Sequence, residues 1–459
     1  MKSSKAHTHV KIHKIPRLRF DSNKKLTSFA GIVVFQALFT SLRLRYQLRR
    51  CFQHLKTQTI YGHAAVVLML LIHLVLGFRR LRNVDYYRHD PLVTRVVGLK
   101  GLPDVSTVSR TLANCDQQSV DKYRAMIRDL VIERVDCEQL ARLTLDFDGS
   151  VLSTTGHCEA TAVGFNKKKK GARSYYPLFC TLAQTSQFFD VLHRAGNVHD
   201  SNGATEFIER CFQQLRQSFP GVILESRFDS AFFSQDVFEV LEKHGVLFTC
   251  TVPFERLSEL KQLVQERKHF KRIDDRWSYF EIQWKPKKWD KKYRLLCLRQ
   301  RRAEQQKGPL QLDLFEPKDW TYDYKIVMTN KSESAKNILL FHNGRGSQEK
   351  LFGEAKQYAA LDVIAMRRKV ANQIYMLSSM LAHNLGRELQ MRAKSKKRGT
   401  GYKRPTLWDF SSLGTIRQHL LHTAGHLTHP QGELTLTMNL SDAAHCDMTE
   451  YLEALDAAA

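Results

Sequence analysis

The sequence has no apolar run long enough to span a membrane. Its longest candidate, Ala64 to Phe78, is interrupted by His73 and covers roughly 15 residues where a span needs about 20. A buried core helix is the expectation for that stretch. Paired cysteines are missing too. Cys51, Cys115, Cys137, Cys158, Cys180, Cys211, Cys250, Cys297 and Cys446 are odd in number and never form CxxC. That pattern argues against a disulfide scaffold and a structural zinc site, and it fits a reducing cytoplasm. No internal repeat is visible, and no secretory cleavage pattern follows the basic N-terminus. Acidic residues are scarce relative to basic ones, 46 against 71, leaving a formal charge of +25 and a pI near 9.7. A chain this basic calls for a polyanionic partner, because neutralising phosphates releases condensed counterions. Nucleic acid is the first choice, ahead of a ribosome or an anionic membrane surface.

What is present is a chain of 459 residues with 43% hydrophobic content, enough for two to four globular domains. Residues 1–26 read as a basic arm ordered mainly on a partner. Residues 27–140 carry helical periodicity, with Arg43, Arg45, Arg49 and Arg50 at one helical end and Arg79, Arg80 and Arg82 after the apolar helix. Within them, Leu102 to Leu112 predicts a helix that starts near Pro103 and Asp104 and offers Ser106, Thr107, Ser109 and Arg110. It suits a helix-turn-helix contact with DNA or a plain capped helix.

The texture changes at Leu143. Leu143, Leu145 and Phe147 alternate with Thr144, Asp146 and Asp148, so the acids share one face of a strand. Strand-like and helical runs follow to residue 252, with a second buried run, Val222 to Asp229, that also ends on a carboxylate. Residues 253–330 form a β-rich insertion containing Trp277, Trp284, Trp289 and Trp320. Residues 331–390 return to helix, and 391–459 form a basic loop and a small C-terminal module. An acid at the end of an apolar strand is costly unless it meets a cation or water. The helix that opens at Arg345-Gly-Ser-Gln-Glu349 supplies a third acid, with Arg345, Glu349, Phe352 and Lys356 along one side. Glu354 lies well round that helix from Glu349. Asp148, Asp229 and Glu349 are thus the candidate set for two hard divalent cations, Mg²⁺ or Mn²⁺, with Asp146 the alternative first aspartate. Lys167, Lys168, Lys169, Lys170 and Arg173 form either a solvated turn or a phosphate rail, followed by Tyr175 and Tyr176 as possible stacking groups.

Arg345, Glu349 and Lys356 match the Tyr-x-x-Arg-x-x-x-Glu-(six residues)-Lys pattern of bacterial insertion-sequence DDE transposases, with His342 at the tyrosine position. Leu143 to Ser150 and Arg227-Phe-Asp229-Ser-Ala-Phe resemble that family's two aspartate motifs. Arg194-Ala-Gly-Asn197 and Leu381-Ala-His-Asn384 also resemble family stretches. The sequence is most similar to the thirteen-eighty family of insertion sequences. The resemblance implies an α/β ribonuclease H-like core carrying a β-rich insertion, preceded by an all-α N-terminal region. It implies metal-dependent cleavage at terminal inverted repeats, through a hairpin in related families, and transfer of the 3′-hydroxyl ends to target DNA. Arg345, Lys356, His342 and Arg227 would contact DNA. An exposed tryptophan of the insertion would hold a flipped base. The partners implied are double-stranded DNA and a second copy of the chain, in a dimer or larger synaptic assembly. The setting implied is a bacterial cytoplasm, with nucleoid association and no membrane. A nuclease on the same fold without strand transfer, or a DNA-binding protein without catalysis, would share most of these features.

Overall fold

The computed structural model describes residues 25–55, 61–164, 166, 169–199, 202–301 and 322–456. The expected basic arm lies almost wholly outside the described residues, as do Lys167, Lys168, Trp320 and most of the link after Arg301.

Among the described residues, six α-helices open the fold: α1 (Val33–Ser41), α2 (Leu44–Phe52), α3 (His63–Val75), α4 (Pro91–Val97), α5 (Val105–Ala113) and α6 (Gln117–Glu138). Helix α3 is the apolar run of the sequence. It is apolar all round, so it is buried all round, against α2, α5 and the later helix Lys369–Ala393. His73 is accommodated there by a 2.9 Å hydrogen bond with the Tyr87 hydroxyl. Burial pushes its imidazole down to about 3, so it sits in the core as a neutral ring. No helix among the described residues is long and apolar enough to cross a membrane. Asp104 starts α5 as expected, its carboxylate accepting the Thr107 N–H at 2.8 Å, with Ser106 and Arg110 exposed.

The centre of the molecule is a nine-stranded sheet: β1 (Arg142–Gly149), β2 (Leu178–Leu182), β3 (Gln187–Leu192), β4 (Ile223–Phe228), β5 (Leu247–Thr251), β6 (Lys271–Arg272), β7 (Trp277–Trp284), β8 (Tyr293–Arg301) and β9 (Tyr322–Thr329). Spatially the order is β6-β7-β8-β9-β5-β4-β1-β2-β3. Strands β1, β4 and β5 are mutually parallel, while on the other side of β1 strand β2 pairs antiparallel with β1 and β3 pairs antiparallel with β2. The core is thus a mixed sheet flanked by helices, in the neighbour order β3, β2, β1, β4, β5. The β-rich segment does not stand apart from the core, since β9 pairs directly with β5 (Val327 opposite Thr251) and β6 to β9 extend the same sheet. A sheet edge with unpaired backbone groups is thereby covered by further strands.

The period-two pattern of β1 sorts its side chains as read from the sequence. Leu143, Leu145 and Phe147 are buried with residues of α7 (Ala204–Ser218) and α8 (Gln235–Lys243). The short helix α9 (Ser258–Gln265) adds Leu260 and Val264 to the same cluster. The opposite face, which carries Thr144, Asp146 and Asp148, is covered by α10 (Ala335–Asn343), α11 (Gly346–Tyr358) and α12 (Lys369–Ala393). Helix α12 is buried along almost its whole length. Asn384 docks it to the sheet by accepting the Phe188 N–H (2.8 Å) and donating to the Phe188 carbonyl (2.7 Å), so the amide replaces a missing strand partner.

The C-terminal segment is not a module of its own. Strand Gly425–Thr428 pairs with Leu26–Thr27 and with Thr435–Met438. After the short helix α13 (Leu413–Ile416), helix α14 (Asp442–Asp456) packs on α1 and α12. Its few apolar residues (Met448, Tyr451, Leu455) are too few for a separate core, so they join the large cluster shared by the N-terminal helices and α12.

Candidate active site

Register places the two aspartates. Asp146 on β1 lies opposite Arg227 on the adjacent parallel strand β4. Two residues further along each strand, on the same face, the chains reach Asp148 and Asp229, where β1 and β4 end. Neighbouring strands are about 4.8 Å apart, so the two carboxylates emerge side by side. Asp148 is partly exposed. Asp229 caps the short turn at Ser230–Phe232, accepting the Ala231 N–H at 2.9 Å. The same strand geometry that buries one row of polar residues thus presents the next.

Asp146, the alternative first aspartate, is in the buried row. It is 1% exposed and forms a two-pronged ion pair with Arg227, which is itself fully buried. The Arg227 Nε–Asp146 Oδ1 distance is 2.7 Å, and Nη2 meets the second oxygen. Burial pushes the Asp146 carboxyl upward, and the guanidinium opposes this. Arg227 also donates to the Lys403 carbonyl (2.9 Å), drawing the C-terminal basic loop against the core. Gly344 permits this approach, since a Cβ there would stand 2.0 Å from Arg227 Nη1 and 2.1 Å from the Lys403 oxygen. Arg227 is therefore a core residue, and its expected place among the DNA contacts is corrected. The same holds for His342. It is 2% exposed, hydrogen-bonded by Thr249 (3.0 Å) and Thr251 (2.9 Å). With the ring buried and both nitrogens engaged, it is not offered to a phosphate, and burial with Lys325, Arg345 and Arg227 holds its imidazole well below the usual range.

Helix α11 begins just after Arg345, whose Nη1 lies 3.9 Å from Asp148 Oδ2. Its first turn is pinned to the sheet by Gln348, which donates to the Asp146 carbonyl at 2.9 Å. Phe352 anchors the next turn between Phe179 and Phe188, at ring separations of 5.4 and 5.9 Å. Glu349 sits between these anchors with an exposed side chain, and Glu354 is committed to Arg387 at 2.5 Å. Arg345, Glu349, Phe352 and Lys356 therefore do not share one environment: Phe352 is core, Glu349 is solvent-facing, and Arg345 and Lys356 are half-buried. The structure brings Asp148, Asp229 and Arg345 together and holds Glu349 on a helix fixed to β1. Among the described residues no three His, Cys, Asp or Glu side chains are already gathered as a ligand set. In donor chemistry the three acids fit hard divalent cations, which take carboxylate oxygens at partly exposed positions.

Lys169 and Lys170 are exposed, in a turn where Asn166 accepts the Lys169 N–H at 3.0 Å. Arg173 spends its guanidinium on Thr161, and Tyr175 is buried with its hydroxyl on the Glu159 carbonyl, so neither is the free contact expected. Trp289 stacks on Phe233 at 4.8 Å, and Trp277 and Trp284 are half-buried against apolar clusters. Sequence reading missed one residue that positions the site, Gln348, which gave no signal beyond its place before Glu349.

The site is thus a mixed helix-and-sheet core with two acids at the ends of adjacent central parallel strands. The chain belongs to the family described as transposase DDE domain group 1, which it matches over residues 10–458. It is accordingly a transposase, of the class that cleaves DNA and transfers strands. Among curated proteins none matches it. Solved structures similar to it include a piggyBac transposase synaptic complex with hairpin DNA, at 13% identity and a TM-score of 0.39, covering 85% of this chain and 79% of that one. A Mos1 transposase paired-end complex with the left transposon end is also similar, at 9% identity and a TM-score of 0.18, covering 42% and 59%. A Mos1 mariner paired-end complex with Mn gives 10% identity and a TM-score of 0.17, covering 42% and 60%.

Proposed function

We propose that this transposase is the product of a bacterial insertion sequence, of the thirteen-eighty type, and acts on that element's terminal inverted repeats. Asp148, Asp229 and Glu349 would hold two divalent cations, Mg²⁺ or Mn²⁺. Bound there, the cations supply charge stabilisation at the attacking and leaving oxygens of a phosphodiester. The chain's own residues do the rest. Arg345 orients a phosphate oxygen beside Asp148, a task suited to a planar guanidinium. Lys356, Lys169 and Lys170 offer further phosphate contacts, and α5 with Ser106 and Arg110 is the candidate reader of the element ends. Gln348 and Phe352 keep the glutamate's helix in register with β1. Pairing of two ends implies a dimer or larger assembly on DNA, near the nucleoid.

What supports this reading is that Asp148 and Asp229 each follow by two residues the paired Asp146 and Arg227, at the ends of adjacent strands and one row beyond an acid that is neutralised internally. Asp229→Asn keeps the turn cap and should abolish Mg²⁺-dependent cleavage of flanking DNA while leaving end binding intact. Cleavage by that variant would refute the carboxylate assignment. A joining assay with 3′-hydroxyl ends and a target plasmid separates transposition from simple nuclease action: cutting without joined product favours the nuclease.

A further inference from the structure

We infer that Lys325 is a DNA-phosphate contact of this active site, holding the strand whose phosphodiester faces Asp148 and Asp229. The inference rests on the transposase reading above and adds a residue that no motif marks.

The placement follows from strand register. Asp146 lies opposite Arg227, Arg227 opposite Thr249, and Thr249 opposite Thr329, which makes one row across the polar face. The next row runs through Asp148, Asp229, Thr251 and Val327, with Thr251 opposite Val327. Strand β9 is antiparallel to β5, so Lys325, two residues before Val327, lies on the same face and toward the end of the sheet where the two aspartates emerge. His342 hydrogen-bonds both Thr249 and Thr251, which shows that α10 covers this face. Lys325 Nζ donates to Asn343 Oδ1, at the end of α10, at 2.8 Å. Two residues beyond Asn343 is Arg345, beside Asp148.

Charge balance gives the second argument. The other buried cations of this face each meet a carboxylate: Arg227 meets Asp146, and Lys331 and Arg404 each meet Glu225 at 2.8 Å. Lys325 meets a neutral amide, its nearest charged influence is the cation Arg345, and no carboxylate among the described residues is within ion-pair distance of it. Burial and Arg345 lower its ammonium to about 8. A half-buried cation without a counter-charge is unfavourable unless an anion arrives from outside. At the mouth of this site that anion is a phosphate. The competing role is structural, a prop for the end of α10, and it would act entirely through the hydrogen bond to Asn343.

The two roles separate by substitution in the full chain, using a linear plasmid that carries the coding region and its flanking DNA. Lys325→Gln keeps an N–H for Asn343 and removes the charge. It should lower Mg²⁺-dependent cleavage about 10- to 100-fold. It should also reduce the salt dependence of kcat/KM by about one phosphate contact. Lys325→Arg should recover most of the rate. Asn343→Ala keeps the charge and removes the prop, so it should cleave near the wild-type rate. Wild-type cleavage by Lys325→Gln, or a loss in Asn343→Ala equal to that in Lys325→Gln, overturns the proposal. If Lys325→Gln fails to fold, the rates of Lys325→Arg and Asn343→Ala decide it by the same criteria. The parent reading fails separately, by cleavage that survives Asp229→Asn. A wild-type enzyme that needs Asp229 but ignores the charge at 325 sinks the lysine alone.

Discussion

Two residues along a pair of parallel strands separate a buried ion pair from two partly exposed acids. Asp146 and Arg227 occupy one row of the sheet, and Asp148 and Asp229 follow two residues later, at the ends of those strands and on the same face. The first row is sealed, so its acid is kept only because a buried guanidinium meets both oxygens. The second row opens at the strand ends, where two acids stand together with Arg345 as their cationic neighbour. An acidic strand end is thus informative about chemistry only once the row that water reaches is known.

The sharpest way to break this contrast is to remove one acid from each row. Asp146→Ala strands Arg227 and should cost about 3–5 kcal/mol of stability, read from urea unfolding. Asp148→Asn should shift stability by less than about 1 kcal/mol and abolish metal-dependent cleavage. If the two variants lose stability equally, the distinction between rows is wrong.

The same sheet face carries a second sealed acid. Glu225 is buried and receives Arg404 at 2.5 and 2.8 Å and Lys331 at 2.8 Å. Burial would raise its carboxyl, but the hydrogen bonds and charges of Arg404 and Lys331 outweigh that and bring it to about 2, against an ordinary value near 4.5. A carboxyl depressed in the folded state adds stability that is complete above the unfolded value. That stability is lost as pH falls from about 4.5 toward 2, and amounts to about 3 kcal/mol by linkage. Glu225→Gln should flatten this part of the acid-unfolding curve and release the Arg404 loop to proteolysis. An unchanged curve would show that the cluster does not act on folding.

Helix α11 repeats the comparison on a smaller scale. Glu354→Gln leaves Arg387 buried without its carboxylate and should cost about 2–3 kcal/mol, with cleavage retained in the folded fraction. Glu349→Gln touches an exposed side chain and should leave the melting temperature nearly unchanged while eliminating cleavage. The opposite outcome would exchange the roles of the two glutamates.

Much of this was legible from the sequence because period and position are local. Alternation places Leu143, Leu145 and Phe147 on one face, and the apolar run Ala64 to Phe78 reads as a core helix. What was not legible depends on which strands become neighbours. Arg227 sits in the second aspartate motif as if it belonged to the site, and only its register against Asp146 shows that it is consumed in the core. His342 occupies a motif position but faces two threonines from β5. Segment 253–330 showed its strands but not that they extend the central sheet. The C-terminal residues gave no sign that they pair with Leu26 and Thr27.

The smallest effects are expected at the exposed turn after Asn166. Lys169 and Lys170 are solvent-facing, so their replacement by alanine should change stability by no more than about 0.5 kcal/mol. If the turn is a phosphate rail, the double variant should also weaken DNA binding uniformly across sequences. The slope of log K against log salt should then fall by nearly one unit per lost contact. If it is only a solvated turn, binding and slope should stay as they are. Arg173→Ala provides the control beside them: its guanidinium is held by Thr161, so it should loosen this turn more than it changes the salt slope.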